Sequence, residues 1–426
     1  MDVAATVPHL RRNFIFLVLD AAIFSFAISF VDWTSVLPSL LGHVTQLPFL
    51  IGIIGSVQTG CWLLPQLFSA RIVAGRKHKL PMVIVGSAIS RLGWGVLLLA
   101  LIFYDRLSPA AVLIACYLAL GVFTSMDGVA SLGWYDVIAR TIPSSMRGRL
   151  LGAMTLCGGL LATVGGYLVQ RIVGNPALPY PSDYRLMVSL TLGLLVVGII
   201  PLILVKEVAE EDVKPTEPLG DFVRRLPGLL RDRQSFRRLV AVQLLVGMSS
   251  FAVPFYTPYA VLSLHLPEAI VGTFVIGVTI GQMLGGGTWG YLGDVGHKRT
   301  AIRLLAACAF LAPAIAASLQ LVPFRVPTSV ATVAIVCSYF FIGCSVRASW
   351  VAYTNYVIEI AEPRERPVLI GLMNTLSGVL AVLAPLGGLL AGFFGYGAAF
   401  AVAAVPAAVG LALSFRLHVP EAVPAA

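Results

Sequence analysis

Three charged side chains, Arg91, Asp127 and Arg347, lie deep inside long apolar runs of this 426-residue chain. Placing such a group at the centre of a bilayer helix costs roughly 2.5–3.5 kcal/mol, so each marks a candidate for work done inside a membrane. A carboxylate there can take up and release a proton, and an arginine can grip a carboxylate or another anion through two parallel hydrogen bonds. Thr124, Ser131 and Trp134 stand at i−3, i+4 and i+7 from Asp127, which draws one polar stripe along a helix. Trp350 and Thr354 do the same for Arg347, with Asn355 next to them. A third stripe runs through Ser25, Ser29 and Asp32 beside Trp33, where Asp32 is shallow enough to meet water at the mouth of the membrane or to serve in coupling. Asp20 falls ~120° away on that helix and is expected to pair with basic loops. Gln58, Gln66, Tyr256, Tyr259 and Asn374 could add contacts to a solute, and Pro38, Pro254 and Pro258 predict kinks useful for gating.

Enzyme chemistry finds no support. The six histidines sit in loops or tails with no buried H-x-x-x-H pair, and Gly285, Gly286 and Gly287 lack the strand and the Lys-Ser/Thr of a phosphate loop. Six cysteines, all in apolar runs without C-x-x-C spacing, read as small packing residues. No metal and no cofactor is expected.

The elements that must carry these residues follow from composition. Hydrophobic residues make up 58% and charged ones 12%, where a soluble domain carries about 25% charge, so a soluble protein is excluded. About 20 apolar residues span the hydrocarbon core as a helix. Twelve runs qualify: 13–38, 47–71, 81–103, 109–138, 150–171, 185–205, 238–264, 269–292, 300–321, 328–358, 368–391 and 396–416. They are continuous rather than ten-residue alternations, which predicts an all-α integral membrane protein and not a β-barrel. The first run is too long for a signal peptide and is expected to be retained.

Of the 29 Lys and Arg, 23 fall in the connections and tails on one side, against Arg106, Arg171, Arg185 and Arg325 on the other. By the positive-inside rule both termini are cytoplasmic. The net charge of +9 is thus topology, not a nucleic-acid surface. Measured from the inner helix ends, Arg91 lies about 15 Å deep and Asp127 and Arg347 about 18 Å, so three charges share one level.

A polar connection, 206–237, begins acidic and ends basic, and its part 219–236 reads equally as an amphipathic helix on the inner leaflet or as a solvated linker. It separates an N-terminal six-helix half (1–205) from a C-terminal one (238–426). The halves repeat at an offset of 220, matching Pro38 with Pro258, Gly52 with Gly272, Asp127 with Arg347 and Pro143 with Pro363. Internal duplication of six helices is a transporter architecture with the substrate site between the halves.

The chain resembles the major facilitator superfamily over essentially its whole length. The resemblance rests on twelve spans, the long middle connection and the stretch Gly290-Tyr-Leu-Gly-Asp294-Val-Gly296-His-Lys298-Arg299, which is similar to the family's loop signature. The matching loop of the first half, from Arg71 to Lys79, has the glycine and the basic run but no aspartate, so only Asp294 carries over as a cytoplasmic latch. The start of the fourth span lacks the arginine of many proton antiporters, and the fifth span has Gly158-Gly159 and Gly165-Gly166 without the antiporter proline. These glycines read as sites of close helix packing.

The resemblance implies that spans four and ten line a central cavity and bring Asp127 towards Arg347. The alternative is that Arg91, on the neighbouring span, neutralises Asp127 as a structural pair. The expected function is secondary active transport of a small organic solute by alternating access. Arg347 favours an anion, and protons couple through Asp127 or Asp32. Multidrug or metabolite efflux is the nearest alternative, and a non-transporting sensor or assembly factor the alternative of another class. Short loops and the lack of an N-x-S/T sequon fit a bacterial inner membrane, and a monomer is expected, with the solute, protons and lipid as its partners.

Overall fold

The computed structural model describes residues 9–74, 76–208, 234–294, 297–321, 326–360, 366–382 and 384–417. Most of the central connection and Gly296 lie outside them, as do the side chains of Asp294, Arg347 and Trp350 and the surroundings of Gly290.

Twelve helices long and apolar enough to cross a membrane are present, and no strand occurs among the described residues. Lipid offers the backbone no hydrogen bonds, so each crossing segment satisfies its own amides as a helix. The first half comprises α1 (Leu10–Ser29), α2 (Val36–Val44), α3 (Pro48–Ala74), α4 (Leu80–Ile102), α5 (Pro109–Thr141), α6 (Ser144–Val173) and α7 (Ser182–Leu204). The second comprises α8 (Gln234–Gly247), α9 (Ile270–Asp294), α10 (Lys298–Leu321), α11 (Thr328–Ile360), α12 (Arg366–Val382), α13 (Pro385–Phe394) and α14 (Tyr396–Ser414).

Three spans differ from the sequence reading. The first does not run on to Pro38: it ends at Ser29, and a carboxylate causes the break. Asp32 Oδ1 accepts hydrogen bonds from the backbone N–H groups of Thr34 and Ser35, both at 2.9 Å, and from both hydroxyls. Those bonds satisfy the turn that starts α2, so Asp32 leaves the stripe of Ser25 and Ser29. The seventh span, α8, passes into a 3₁₀ stretch over Met248–Phe255, a single turn at Tyr256–Pro258 and a π turn at Tyr259–Ser263. Pro254 and Pro258 lie within this rewound stretch because neither can donate a backbone hydrogen bond. The eleventh span is split into α12 and α13 at Pro385 for the same reason.

Each half packs on itself, α4 on α5 and α1 on α6 in the first, α9 and α10 on α11 in the second. Asn13 exchanges hydrogen bonds with the backbone of Lys206 at 3.0 and 2.8 Å, and Arg238 donates to the Arg416 carbonyl, so the ends of both halves gather at one end of the bundle. We call this the terminal end and the opposite one the distal end.

The halves meet along two seams, α6 with α9 and α3 with α13. A Cβ on Gly272 would stand 2.3 Å from Gln170 N and Gly166 O, so only glycine permits the first seam. Gly52, its partner in the repeat, faces Pro385 and Gly388 across the second. Leu92, Leu99, Val197 and Val405 are among the many apolar side chains left on the outer surface, where lipid replaces water.

Candidate functional site: a charge cluster, a central cavity and a distal seam

Helices α1, α4 and α5 bring three charges together inside the first half. Arg91 on α4 is 7% exposed, donating from Nε to the Leu195 carbonyl at 3.3 Å and from its terminal nitrogen to Ser90 Oγ at 2.8 Å. Those bonds fix the guanidinium, and its charge acts through space on both Asp127 of α5 and Asp20 of α1. Trp134, about two turns beyond Asp127, donates from Nε1 to Asp20 Oδ2 at 3.0 Å. Asp20 is therefore held by an indole in the interior and not by the basic loops expected from the sequence. Thr124 and Ser131 turn their hydroxyls back to the carbonyls of Leu120 and Gly128, each at 2.7 Å, and need no further acceptor.

A cavity of about 290 Å³ lies between the halves beneath the distal seam, and the second half supplies most of its wall. Its polar lining includes Trp33, Gln243, Ser349, Tyr353, Asn374 and the buried Tyr256. Gln243 Nε2 donates to Ser377 Oγ at 2.7 Å. The hydroxyls of Tyr256 and Tyr353 are buried with no hydrogen-bond partner among the described residues. Trp33, Tyr256 and Asn374 were legible as candidates; Gln243, Ser349 and Tyr353 were not singled out. Gln243 interrupts an apolar run, and Ser345, Ser349 and Tyr353 recur at helical spacing, so a periodicity scan of these two spans had the signal.

Other candidates stand elsewhere. Arg91, Asp127, Ser131, Trp134, Gln58, Thr354 and Asn355 are not part of the cavity wall, and Thr354 Oγ1 is buried without a partner among the described residues. On α11 the cavity takes Ile342, Ser345, Val346, Ser349 and Tyr353. Val336, Phe340 and Gly343 instead press on Gly277, Gly281 and Val278 of α9. Lys298, in the stretch similar to the family's loop signature, pairs with Glu359 at 3.3 Å within its own half, as Lys79 pairs with Asp136 at 2.9 Å in the other. Arg299 is exposed on the first turn of α10.

At the distal end one carboxylate of the second half docks on the first. Glu268, in the connection before α9, meets His43 Nε2 at 3.4 Å and accepts from Tyr184 OH at 3.0 Å and Ser39 Oγ at 3.2 Å. The His43 ring stacks on Tyr180 with centroids 4.3 Å apart. Burial pushes Glu268 up, but the hydrogen bond and charge of His43, with Tyr184 and Ser39, outweigh it and hold its pKa below the ordinary value. Burial likewise opposes the charge on His43, and the bond and charge of Glu268 raise its pKa in spite of that. Nearby, Tyr339 OH donates to the Thr34 carbonyl at 2.9 Å and Ser56 Oγ to the Ala381 carbonyl at 2.7 Å, so these cross-half bonds also belong to the distal half of the bundle. A histidine read from the sequence as an ordinary loop residue is thus part of the seam.

Two bundles of six spans in the same orientation, packed around a central cavity, form an architecture known from membrane transporters. The Major Facilitator Superfamily profile matches residues 88–385 and 239–426, and the chain belongs to that family. No curated protein sequence matches it. Among solved structures it is similar to the nucleoside transporter NupG, with a TM-score of 0.67 at 11% identity over 95% of this chain and 98% of that one. A POT family transporter in complex with 5-aminolevulinic acid gives 0.67 at 11% identity over 96% and 95%. The human organic anion transporter MFSD10 gives 0.62 at 14% over 96% and 100%. At these identities the likeness is one of fold.

Proposed function

We propose that the protein is a secondary active transporter that moves a small organic solute through the central cavity by alternating access, with the proton as coupling ion. The observation that carries this reading is the unequal charge inside the first half: among the described residues two carboxylates, Asp20 and Asp127, share the field of one guanidinium, Arg91. In a medium of low dielectric one cation balances one anion, so the second carboxylate is stable only when it holds a proton or when water reaches it. Asp127 and Asp20 then act as one exchange site, refilled from whichever side the cavity faces. Asp32, fully engaged in its turn, serves as a structural cap rather than as the coupling group.

The basic terminal end faces the cytoplasm in this reading. The distal seam is then the outer gate, and the described conformation is the inward-facing one. The test is transport in proteoliposomes. With Asp127→Asn, accumulation driven by a proton gradient is expected to fall at least about tenfold while solute counterflow persists, because the site no longer exchanges a proton. Unchanged gradient-driven accumulation and unchanged pH dependence in Asp127→Asn and in Asp20→Asn would remove the proton from the mechanism.

A further inference from the structure

We infer that the cavity takes a net-uncharged ring compound bearing several hydrogen-bonding groups, an inference that rests on the central cavity being the substrate site. Among the described residues its wall holds no aspartate, glutamate, lysine, arginine or histidine. From these described residues a ligand carrying net charge gains no opposite charge to offset its lost hydration.

What the wall offers is hydrogen bonding at both ends and flat surface between. Tyr256, within the rewound stretch of its span, lies towards the distal end of the cavity, and Tyr353 towards the terminal end. Their hydroxyls are buried and unpartnered, a state that buried polar groups avoid unless a ligand or water completes them. Gln243 spends one amide hydrogen on Ser377 and keeps its carbonyl oxygen, while Asn374 brings a carbonyl and an NH₂. Trp33 adds an aromatic face from the first half, so a planar or puckered ring can stack while its substituents meet the amides and phenols. The volume, about 290 Å³, suits a solute of one or two rings.

The experiment is thermal stability of the purified full chain in detergent with uridine, glucose and nicotinamide as uncharged probes, benzoate and glutamate as probes bearing net negative charge, and tetraphenylphosphonium as a cation. Each is raised to about 10 mM, well above a millimolar dissociation constant. At least one uncharged probe is expected to raise the midpoint. Tyr256→Phe and Tyr353→Phe should each weaken that probe about tenfold while leaving the unliganded protein as stable or more so, since each removes an unpaired buried hydroxyl. Stabilisation by benzoate or the cation alone, or silence of all three uncharged probes, overturns the proposal. An uncharged probe that binds with full affinity to both variants also overturns it, and in that case the fault lies in the choice of cavity and not in the charge of the solute.

Discussion

The two halves share six spans each and a sequence repeat at an offset of 220, yet their interiors differ. The first half buries a net charge: Arg91, Asp127, Asp20 and the Trp134 indole lie within one another's reach across three helices. The second half buries neutral hydrogen-bonding groups around a cavity. The difference teaches that two halves of one architecture can carry different interiors, and under the proposed function it assigns proton exchange to the first half and solute recognition to the second. Charges cost most where nothing balances them, so gathering them in one cluster leaves the cavity wall free to read shape and hydrogen bonds.

The strongest way to break this comparison is to remove the cation. Arg91→Met should destabilise the folded protein by about 3–5 kcal/mol, because two buried carboxylates lose the one opposite charge that acts on them among the described residues. Adding Asp127→Asn should restore much of that loss, and a double-mutant cycle by thermal or chemical unfolding checks the coupling. Additive effects would mean that Arg91 acts through Leu195 and Ser90 alone. A smaller effect is expected at the seam: Gly272→Ala forces a Cβ against the backbone of α6 and should cost the distally closed state about 1–3 kcal/mol. Labelling of a cysteine placed at the distal mouth should rise accordingly.

Smaller again is the Glu268–His43 contact, worth about 1 kcal/mol for a partly exposed pair, and its pH dependence has a definite sign. Glu268 contributes fully above its ordinary value of 4.5 and loses its contribution as pH falls through its lowered pKa. His43 contributes fully below its ordinary 6.5 and loses its contribution as pH rises through its raised pKa. The seam is therefore tightest between those ordinary values and loosens towards alkaline pH. The negative charge of Asp183 favours the protonated ring, and Tyr180 and Tyr184 keep their protons in this range because burial raises the Tyr180 pKa and Glu268 holds the Tyr184 hydroxyl. Distal opening, read as spin-label distance or thiol reactivity, should increase from about pH 5.5 to about pH 9 in the wild type and stay flat in His43→Gln. The smallest effect belongs to Lys298→Met, which removes an ion pair within one half and should shift stability by less than about 1 kcal/mol without changing which end is open. A large change of state there would revive a cross-half latch at the loop bearing Asp294.

Much of the architecture was legible in the residues. Twelve spans, with limits to within a few residues at most ends, follow from counting apolar residues, and the family resemblance from those spans with the middle connection and the stretch around Asp294. Asp127 and Arg91 were visible because a charge among leucines is conspicuous. Trp134 was read as part of a stripe, but its partner Asp20 was assigned elsewhere, since a helical wheel gives a direction on one helix and says nothing of which neighbour stands there. Asp32 shows the same limit. Its spacing fits a helix, and four local hydrogen bonds ended that helix first.

What the sequence determined by itself is how the chain meets its solvent. Lipid acts on each residue separately, so span, depth and the basic terminal end can be read one position at a time. What only the tertiary structure decided is company: that Glu268 finds His43, that Gly272 lets α9 touch α6, and that the cavity wall comes mainly from the second half. Helix rotation and tilt are set by packing among neighbours, a property of pairs of surfaces that no single span encodes.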